Sequence, residues 1–312
     1  MIDKAHDPAF AGIARRVFPG ARLLRHWRLT GGVSAVIDAL EVEASIGDRH
    51  RAVVRRFDAT AWKRQRHDLI RQEYQIMATL YQADFPVPEP LHLDTSCELL
   101  PTPYLVMRWV DGSTELSQAD LPVCLPQMAS FLARLHGLDP STPGLLNLPQ
   151  REDPVAGALA CLLAEGEWGV LRERLVHYQT TEVRSTVLHG DYWPGNVLWA
   201  GGRIMAVIDW EDAALGPAAS DLACARSELN AVYGEAATDA FTQSYLAAST
   251  APIHDLALWD LYVSSAALRS MHQWGLPPDV EQLRRDRTTA FAQRAADKLR
   301  VMRQSSSSRR NG

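Results

Sequence analysis

The 312-residue chain has only four cysteines, and no two of them have the spacing of a metal-binding or redox pair. Cys97, Cys124, Cys161 and Cys224 read instead as small apolar side chains in a reducing compartment. A basic excess is also lacking. The 32 Lys and Arg against 37 Asp and Glu give a formal net charge of −5. A nucleic-acid partner is therefore not expected, because phosphate-backbone binders carry surplus positive charge. No apolar run is long enough to span a bilayer. The opening Met1-Ile2-Asp3-Lys4-Ala5-His6-Asp7 is not followed by the apolar core of a secretory signal. The expectation is a cytoplasmic protein with neither a membrane nor a nucleic-acid partner. What is present is an ordinary globular composition, 46% hydrophobic and 22% charged. The length suits one large domain or two lobes about one cleft.

Asp7-Pro8 predicts an N-cap with proline at the first helical position, and a helix running to about Phe18. A strand-rich stretch follows. It includes Trp27 to Leu29, Val36 to Val42 and, after the Gly47-Asp48 turn, Ala52 to Phe57. Trp62 to Gln82 is helical in pattern, and Pro86, Pro88 and Pro90 end it. Tyr104 to Val110 reads as a further strand, closed by Asp111-Gly112. Beyond Gly112 the chain is mostly helical, apart from a strand-loop-hairpin block at Thr186 to Trp210. The expected organisation is an N-terminal lobe over residues 1–110, a C-terminal lobe over 111–304 and a polar, mobile tail over 305–312.

The block from Val187 to Glu211 carries the chemistry. Gly201-Gly202 separates two apolar strands, a hairpin signal. A turn centred on Gly202-Arg203 pairs Val197 with Ile208 and Asn196 with Asp209, with a one-residue slip left open. Asp191 lies just upstream on a loop bent by Pro194 and Gly195. Three oxygen-bearing side chains then meet at one hairpin mouth. Mg²⁺ favours such ligands, taking a few protein oxygens plus substrate phosphates. A carboxylate beside the metal can orient or deprotonate a hydroxyl.

His189-Gly190-Asp191, Asn196 and Ile208-Asp209-Trp210, in this order, resemble the signature of the aminoglycoside phosphotransferase and choline kinase superfamily. The resemblance implies an α+β, bilobal, protein-kinase-like fold. It makes Asp191 the catalytic base or hydroxyl-orienting group. It makes Asn196 and Asp209 the Mg²⁺ ligands, His189 a brace of the loop and Asp221 a support beneath it. It covers roughly residues 25 to 230.

A nucleotide clamp needs a glycine loop, a cation on the next strand and a helix carboxylate to hold it. Gly31, Gly32 and Ser34 lie between two expected strands. Glu73 falls within the apolar stripe of Leu69, Ile76, Met77 and Leu80, where an unpaired charge is costly. Arg55 is its expected partner, with Arg56 the alternative inward residue. The superfamily commonly has lysine at this strand position, so arginine is a departure. The resemblance also sets the backbone around Met107, Arg108 and Trp109 against the nucleotide base.

The expected activity is transfer of the γ-phosphate of ATP or GTP to a hydroxyl of a small molecule. Between Glu211 and Leu268 stand eight acids and one basic residue, Arg226. That bias suits a cationic amino sugar or amino alcohol, and equally suits solvated helix faces. Trp259, Tyr262, His272 and Trp274 are candidates for an aromatic pocket or for core packing. The alternatives are a metal-dependent phosphohydrolase and a non-catalytic nucleotide-binding protein of the same fold. Acceptor identity and oligomeric state are open at this stage.

Overall fold

The computed structural model describes residues 7–29, 35–45, 47–57, 67–162 and 165–308, with 67, 167 and 302–308 described by backbone alone. The glycine loop Gly31, Gly32 and Ser34 lies outside the described residues.

Helix α1 (Pro8–Val17) starts as the sequence dictates, with the Asp7 carboxylate accepting the Ala9 N–H at 2.9 Å. Its apolar side, Phe10 and Ile13, packs on one face of an antiparallel sheet, against Leu40, Val54 and Val106. The sheet comprises β1 (Arg22–Arg28), β2 (Ala35–Ser45), β3 (Asp48–Phe57), β4 (Pro90–Asp94) and β5 (Tyr104–Arg108). Its spatial order is β1-β2-β3-β5-β4, which makes β3 the central strand. Strand alternation does the sorting along β3. Val54 is fully buried beneath α1, while Val53 and Arg55 line a cleft on the opposite face.

Helix α2 (His67–Gln82) lies on that opposite face. Ile70, Ile76, Met77 and Leu80 join a core that continues into the C-terminal half through Leu125, Phe131, Val197 and Trp210. The two halves thus share one apolar core. The Trp62 end expected for this helix falls outside the described residues.

The C-terminal half is built from α3 (Leu121–His136), α4 (Pro154–Cys161), α5 (Gly166–Leu175), α6 (Ala219–Tyr233), α7 (Glu235–Ala248), α8 (Leu256–Ser270) and α9 (Pro278–Ser308). Two short antiparallel pairs interrupt the helices. Strand β6 (Thr186–Leu188) pairs with β9 (Ala214–Gly216), and β7 (Val197–Ala200) pairs with β8 (Arg203–Val207). The first pair sets the loop carrying Asp191. The second carries Asn196 and leads to Asp209.

The hairpin register differs from expectation by one residue. Gly201 and Gly202, at φ 56° and 72°, form the two-residue turn, so Ala200 pairs with Arg203. A bulge between Leu198 and Trp199 then restores Val197 to Val207. Asn196 consequently stands opposite Ile208, whose N–H donates to the Asn196 carbonyl at 2.9 Å. Asp209 lies one residue further on.

Candidate active site

The loop after β6 is fixed from below by Asp221, in the first turn of α6. Its carboxylate accepts the N–H groups of His189 at 2.7 Å and Gly190 at 2.9 Å. It also meets His136 Nε2 of α3 at 3.3 Å, and His136 Nδ1 lies 2.6 Å from the Tyr245 hydroxyl of α7. Burial works against the Asp221 charge. The His136 contacts and the backbone N–H groups nonetheless hold its carboxyl below the usual range. One buried acid therefore ties three helices to the loop.

His189 braces the same loop from above. Its Nδ1 accepts the Asp191 N–H at 3.3 Å, so the ring proton sits on Nε2 and donates to the Ile208 carbonyl at 3.0 Å. The ring packs 4.5 Å from Trp210. Burial pushes its pKa down, which suits a neutral structural imidazole.

Gly190 has φ +89°, and a Cβ there would stand 1.9 Å from the Asp212 carbonyl oxygen. Gly201 also has positive φ, but open space surrounds it. The two glycines separate conformational cost from close approach. Gly201→Ala should cost about 1 kcal/mol, the ordinary penalty of a left-handed residue. Gly190→Ala should cost several-fold more and displace Asp191. Thermal midpoints of the two variants check this.

Asp191 is half-buried, and its Oδ2 accepts from Asn196 Nδ2 at 2.9 Å. Its Oδ1 faces the Cys224 thiol at 3.7 Å. Burial, then the nearby carboxylates Glu228, Asp212 and Asp209, push its pKa up to about 7, against the Asn196 hydrogen bond. Asn196 Nδ2 also donates to the Asp191 carbonyl at 2.8 Å. With its nitrogen so engaged, Asn196 presents its side-chain oxygen as a ligand atom. Asp209 has φ +67°, a conformation non-glycine residues rarely adopt. The local strain accompanies a carboxylate turned into the cleft, as at many functional sites.

Arg55 spans the site from above. Its Nε donates to Glu73 at 3.0 Å. One terminal nitrogen donates to Asp209 at 2.7 Å and to Glu211 at 2.8 Å. Arg55 and Glu73 are 4% and 1% exposed, so the inward residue of the strand is Arg55 and the pair is truly buried. Burial disfavours the Arg55 charge, but Glu73, Asp209 and Glu211 push its pKa well up. Burial raises Glu73 to about 7, partly offset by Arg55.

Between sheet and hairpin lies a cavity of about 370 Å³. Val53, Met77 and Met107 wall it on one side, Leu198 and Ile208 on the other, and Arg55, Asn196 and Asp209 line its polar end. Trp109 is at its rim, with Arg51 4.9 Å from its ring and its indole N–H on Asp111 at 2.9 Å. The backbone N–H groups of Arg108 and Trp109 already donate to Glu89 and Arg51 within the sheet. Met107, Arg108, Trp109 and Val110 nonetheless line the cavity, so other backbone groups of this segment stand at its wall.

The oxygen set fits a hard divalent cation. Asn196 and Asp209 would supply few protein ligands, as Mg²⁺ sites with substrate phosphates do. Glu211 adds a third carboxyl that sequence reasoning did not single out. Around Arg55, the carboxylates of Glu73, Asp209 and Glu211 meet one guanidinium. Among the described residues, no group of three or more His, Cys, Asp or Glu forms a self-contained metal cage.

The acidic stretch resolves into separate duties. Asp260 holds Arg226 in a buried bidentate pair at 3.0 Å. Asp255 accepts from Tyr178 and Thr181. Glu235 and Asp239 are exposed. Asp212, in the loop before β9, and Glu228 of α6 stand beside Asp191, and Arg284 of α9 stands 3.8 Å from Glu228. Trp259 is 2% exposed and packs on Ala219 and Ala223, so it is core.

A kinase-like sheet over a catalytic hairpin defines the class: a protein-kinase-like phosphotransferase fold. Residues 31–260 match the phosphotransferase enzyme family, and the chain belongs to that family. It is similar to a putative aminoglycoside phosphotransferase from Ralstonia eutropha JMP134, with a TM-score of 0.64 and 15% identity over 95% of this chain and 99% of that one. Macrolide 2′-phosphotransferase MphH from Brachybacterium faecium gives 0.61 and 21% over 89% and 96%. Likeness at these identities establishes the fold. Among curated proteins, stress response kinase A of Salmonella typhi is 27% identical over 190 residues, 56% of each chain. Acyl-CoA dehydrogenase family member 11 of Gallus gallus is 26% identical over 181 residues, 50% of this chain. The chain matches only 22% of that relative's length. No helix among the described residues is long and apolar enough to cross a membrane.

Proposed function

We propose that the protein is a cytoplasmic small-molecule kinase that moves the γ-phosphate of ATP or GTP to a hydroxyl. One observation carries the reading. Arg55, Asn196 and Asp209 line the polar end of one apolar-walled cavity, and Asp191 is tied to it through its hydrogen bond from Asn196. The apolar walls suit a nucleobase, and the polar end suits its phosphates. In this reading residues 1–110 form the nucleotide lobe and residues 111–304 the catalytic lobe.

Asp191 takes the role of base. Its carboxylate orients the acceptor hydroxyl and receives its proton as that oxygen attacks the phosphorus in line. A pKa of about 7 places it near the optimum for that task. Asn196 and Asp209 would hold Mg²⁺, which when bound neutralises charge on the phosphates. Arg55, steadied by Glu73, contributes a fixed positive charge at the same end. Rate enhancement comes mainly from positioning and preorganised charge. Asp212 and Glu228 beside Asp191 favour an acceptor that carries an ammonium or several hydroxyls. The neighbours named as aminoglycoside and macrolide phosphotransferases support a hydroxyl-bearing small-molecule acceptor.

The phosphohydrolase alternative asks for a two-metal cluster, and the clamp of Arg55 on Glu73 gives it no support. Melting of the purified protein with ATP and with GTP, each with and without Mg²⁺, tests the proposal. A ligand at one hundred times its Kd raises stability by about 2.7 kcal/mol. We expect an upward shift that requires Mg²⁺. A folded protein that shows none with either nucleotide at millimolar concentration refutes it.

A further inference from the structure

Helix α9 turns several arginines onto α6, and most of them do plainly structural work. Arg287 donates to the Ala231 and Val232 carbonyls at 3.2 and 2.7 Å, covering the last turn of α6. Arg294 donates to the Asn230 side-chain oxygen at 3.0 Å. Within α6, Arg226 grips Asp260 through two bonds of 3.0 Å. Arg284 differs from all three. Its guanidinium stands 3.8 Å from the Glu228 carboxylate, beyond hydrogen-bond reach. Among the described residues, no hydrogen bond to another side chain or carbonyl engages either group.

The two side chains are only 16% and 14% exposed. Charges so far removed from water are costly unless they are both paired and hydrogen-bonded. Burial pushes the Glu228 pKa up, and Arg284 offsets this only in part. The open pair also stands beside the proposed base. Cys224 of α6 lies 3.7 Å from Asp191, and Glu228 follows one helical turn later on the same face. After burial itself, Glu228 is the largest influence on the Asp191 carboxyl. Asp191, Glu228 and Arg284 thus follow one another, ending in a guanidinium whose fork of donors is unfilled.

We propose that Arg284 and Glu228 form the recognition subsite for the acceptor, and that the acceptor is a small hydroxy acid. Its carboxylate takes the donors of Arg284. A donor beside that carboxylate, an ammonium or a second hydroxyl, meets Glu228. This rests on the kinase reading above and adds to it a substrate class. The reacting hydroxyl oxygen forms its bond to the γ-phosphorus as the bond to the bridging oxygen of the departing nucleoside diphosphate breaks. Asp191 receives the hydroxyl proton.

The charges favour a carboxylate over a phosphate on the acceptor. A carboxylate brings one negative charge to a place where Asp191, Asp212 and Glu228 already stand, whereas a phosphate monoester brings nearly two. A planar carboxylate also matches the guanidinium fork. A purely cationic acceptor would satisfy Glu228 but repel Arg284.

Nucleoside diphosphate release from MgATP and from MgGTP tests the subsite. The probes are short α-, β- and γ-hydroxy acids, with and without an α-amino group. Each is assayed beside its primary amide, which removes the carboxylate charge alone. At least one acid should be an acceptor, preferred over its amide by about a hundredfold in kcat/KM. Arg284→Gln should remove most of that preference, and Arg284→Lys should restore part of it. Lost packing between α9 and α6 would instead slow acid and amide alike and leave their ratio unmoved. An unchanged ratio in folded Arg284→Gln overturns the subsite. Turnover of amino alcohols or amino sugars with no acid accepted also overturns it, while the kinase reading stands. Failure of the folded protein to bind either nucleotide with Mg²⁺ overturns both.

Discussion

Asp191→Asn should lower kcat by about a thousandfold, within the range for loss of a positioned general base. Nucleotide affinity should change little. The substitution preserves shape and can still accept from Asn196, so the loop geometry survives. In the proposed reading it removes the group that receives the acceptor proton. Steady-state kinetics alongside nucleotide titration check this. A fall in nucleotide affinity with kcat unchanged would make Asp191 a ligand-binding group and not a base.

The same substitution should stabilise the free protein at alkaline pH. The folded pKa of Asp191 is raised to about 7 by burial and then by Glu228, Asp212 and Asp209. Its unfolded value is about 3.9. Between these values the folded state binds more protons than the unfolded state, so stability falls as pH rises. The stability present below about pH 4 is lost progressively by pH 7 and above. The effect is of the order of a few kcal/mol. Glu73, raised to about 7 as well, adds a loss of the same sign. At pH 8 Asp191→Asn should melt above wild type, and at pH 5 the difference should shrink. An active-site acid that destabilises its own fold is the expected signature of a group kept for chemistry.

Much of this candidate site was legible because its residues are local in sequence. Asp191, Asn196 and Asp209 lie within one loop and hairpin, so motif order alone brings them close. The pairing of Arg55 with Glu73 was legible for another reason. A carboxylate inside an apolar helical stripe demands a partner, and the preceding strand had two candidates. Strand alternation decides between them by placing Arg55 toward the cleft.

What was not legible depended on distant partners or on small irregularities. The register slip comes from the turn falling at Gly201-Gly202, and the bulge between Leu198 and Trp199, which no periodicity announces, reduces it to one residue. Strand β4 was missed because Pro90 opens it. Proline is tolerated there because the strand lies at the sheet edge. The acidic bias of the C-terminal half looked like a substrate signal. Asp221, Asp255 and Asp260 instead meet His136, Tyr178 and Arg226, which lie 34 to 85 residues away in the chain. Glu211 escaped notice because its importance appears only once the fork of Arg55 is seen to reach it.

Asp209→Ala should abolish nucleotide-dependent turnover, with a loss of at least a thousandfold, and should do so by a different route. The carboxylate is one of the two side chains that would hold the metal, and electrostatic groups at a transferring phosphoryl carry much of the catalysis. Melting shifts with ATP should then become insensitive to Mg²⁺, which Asp191→Asn should not cause. The fold should tolerate the change, because Arg55 keeps Glu73 and Glu211 after losing Asp209. Alanine at φ +67° adds a strain of about 1–2 kcal/mol. Asp209→Asn removes that complication, since asparagine accepts left-handed backbone more readily. If both variants lose Mg²⁺ dependence, the cause is the missing charge. If only the alanine variant does, what the metal needs at this position is a side-chain oxygen and not its charge. Retained turnover in both variants would remove Asp209 from the metal site and return the cluster around Arg55 to a purely structural role.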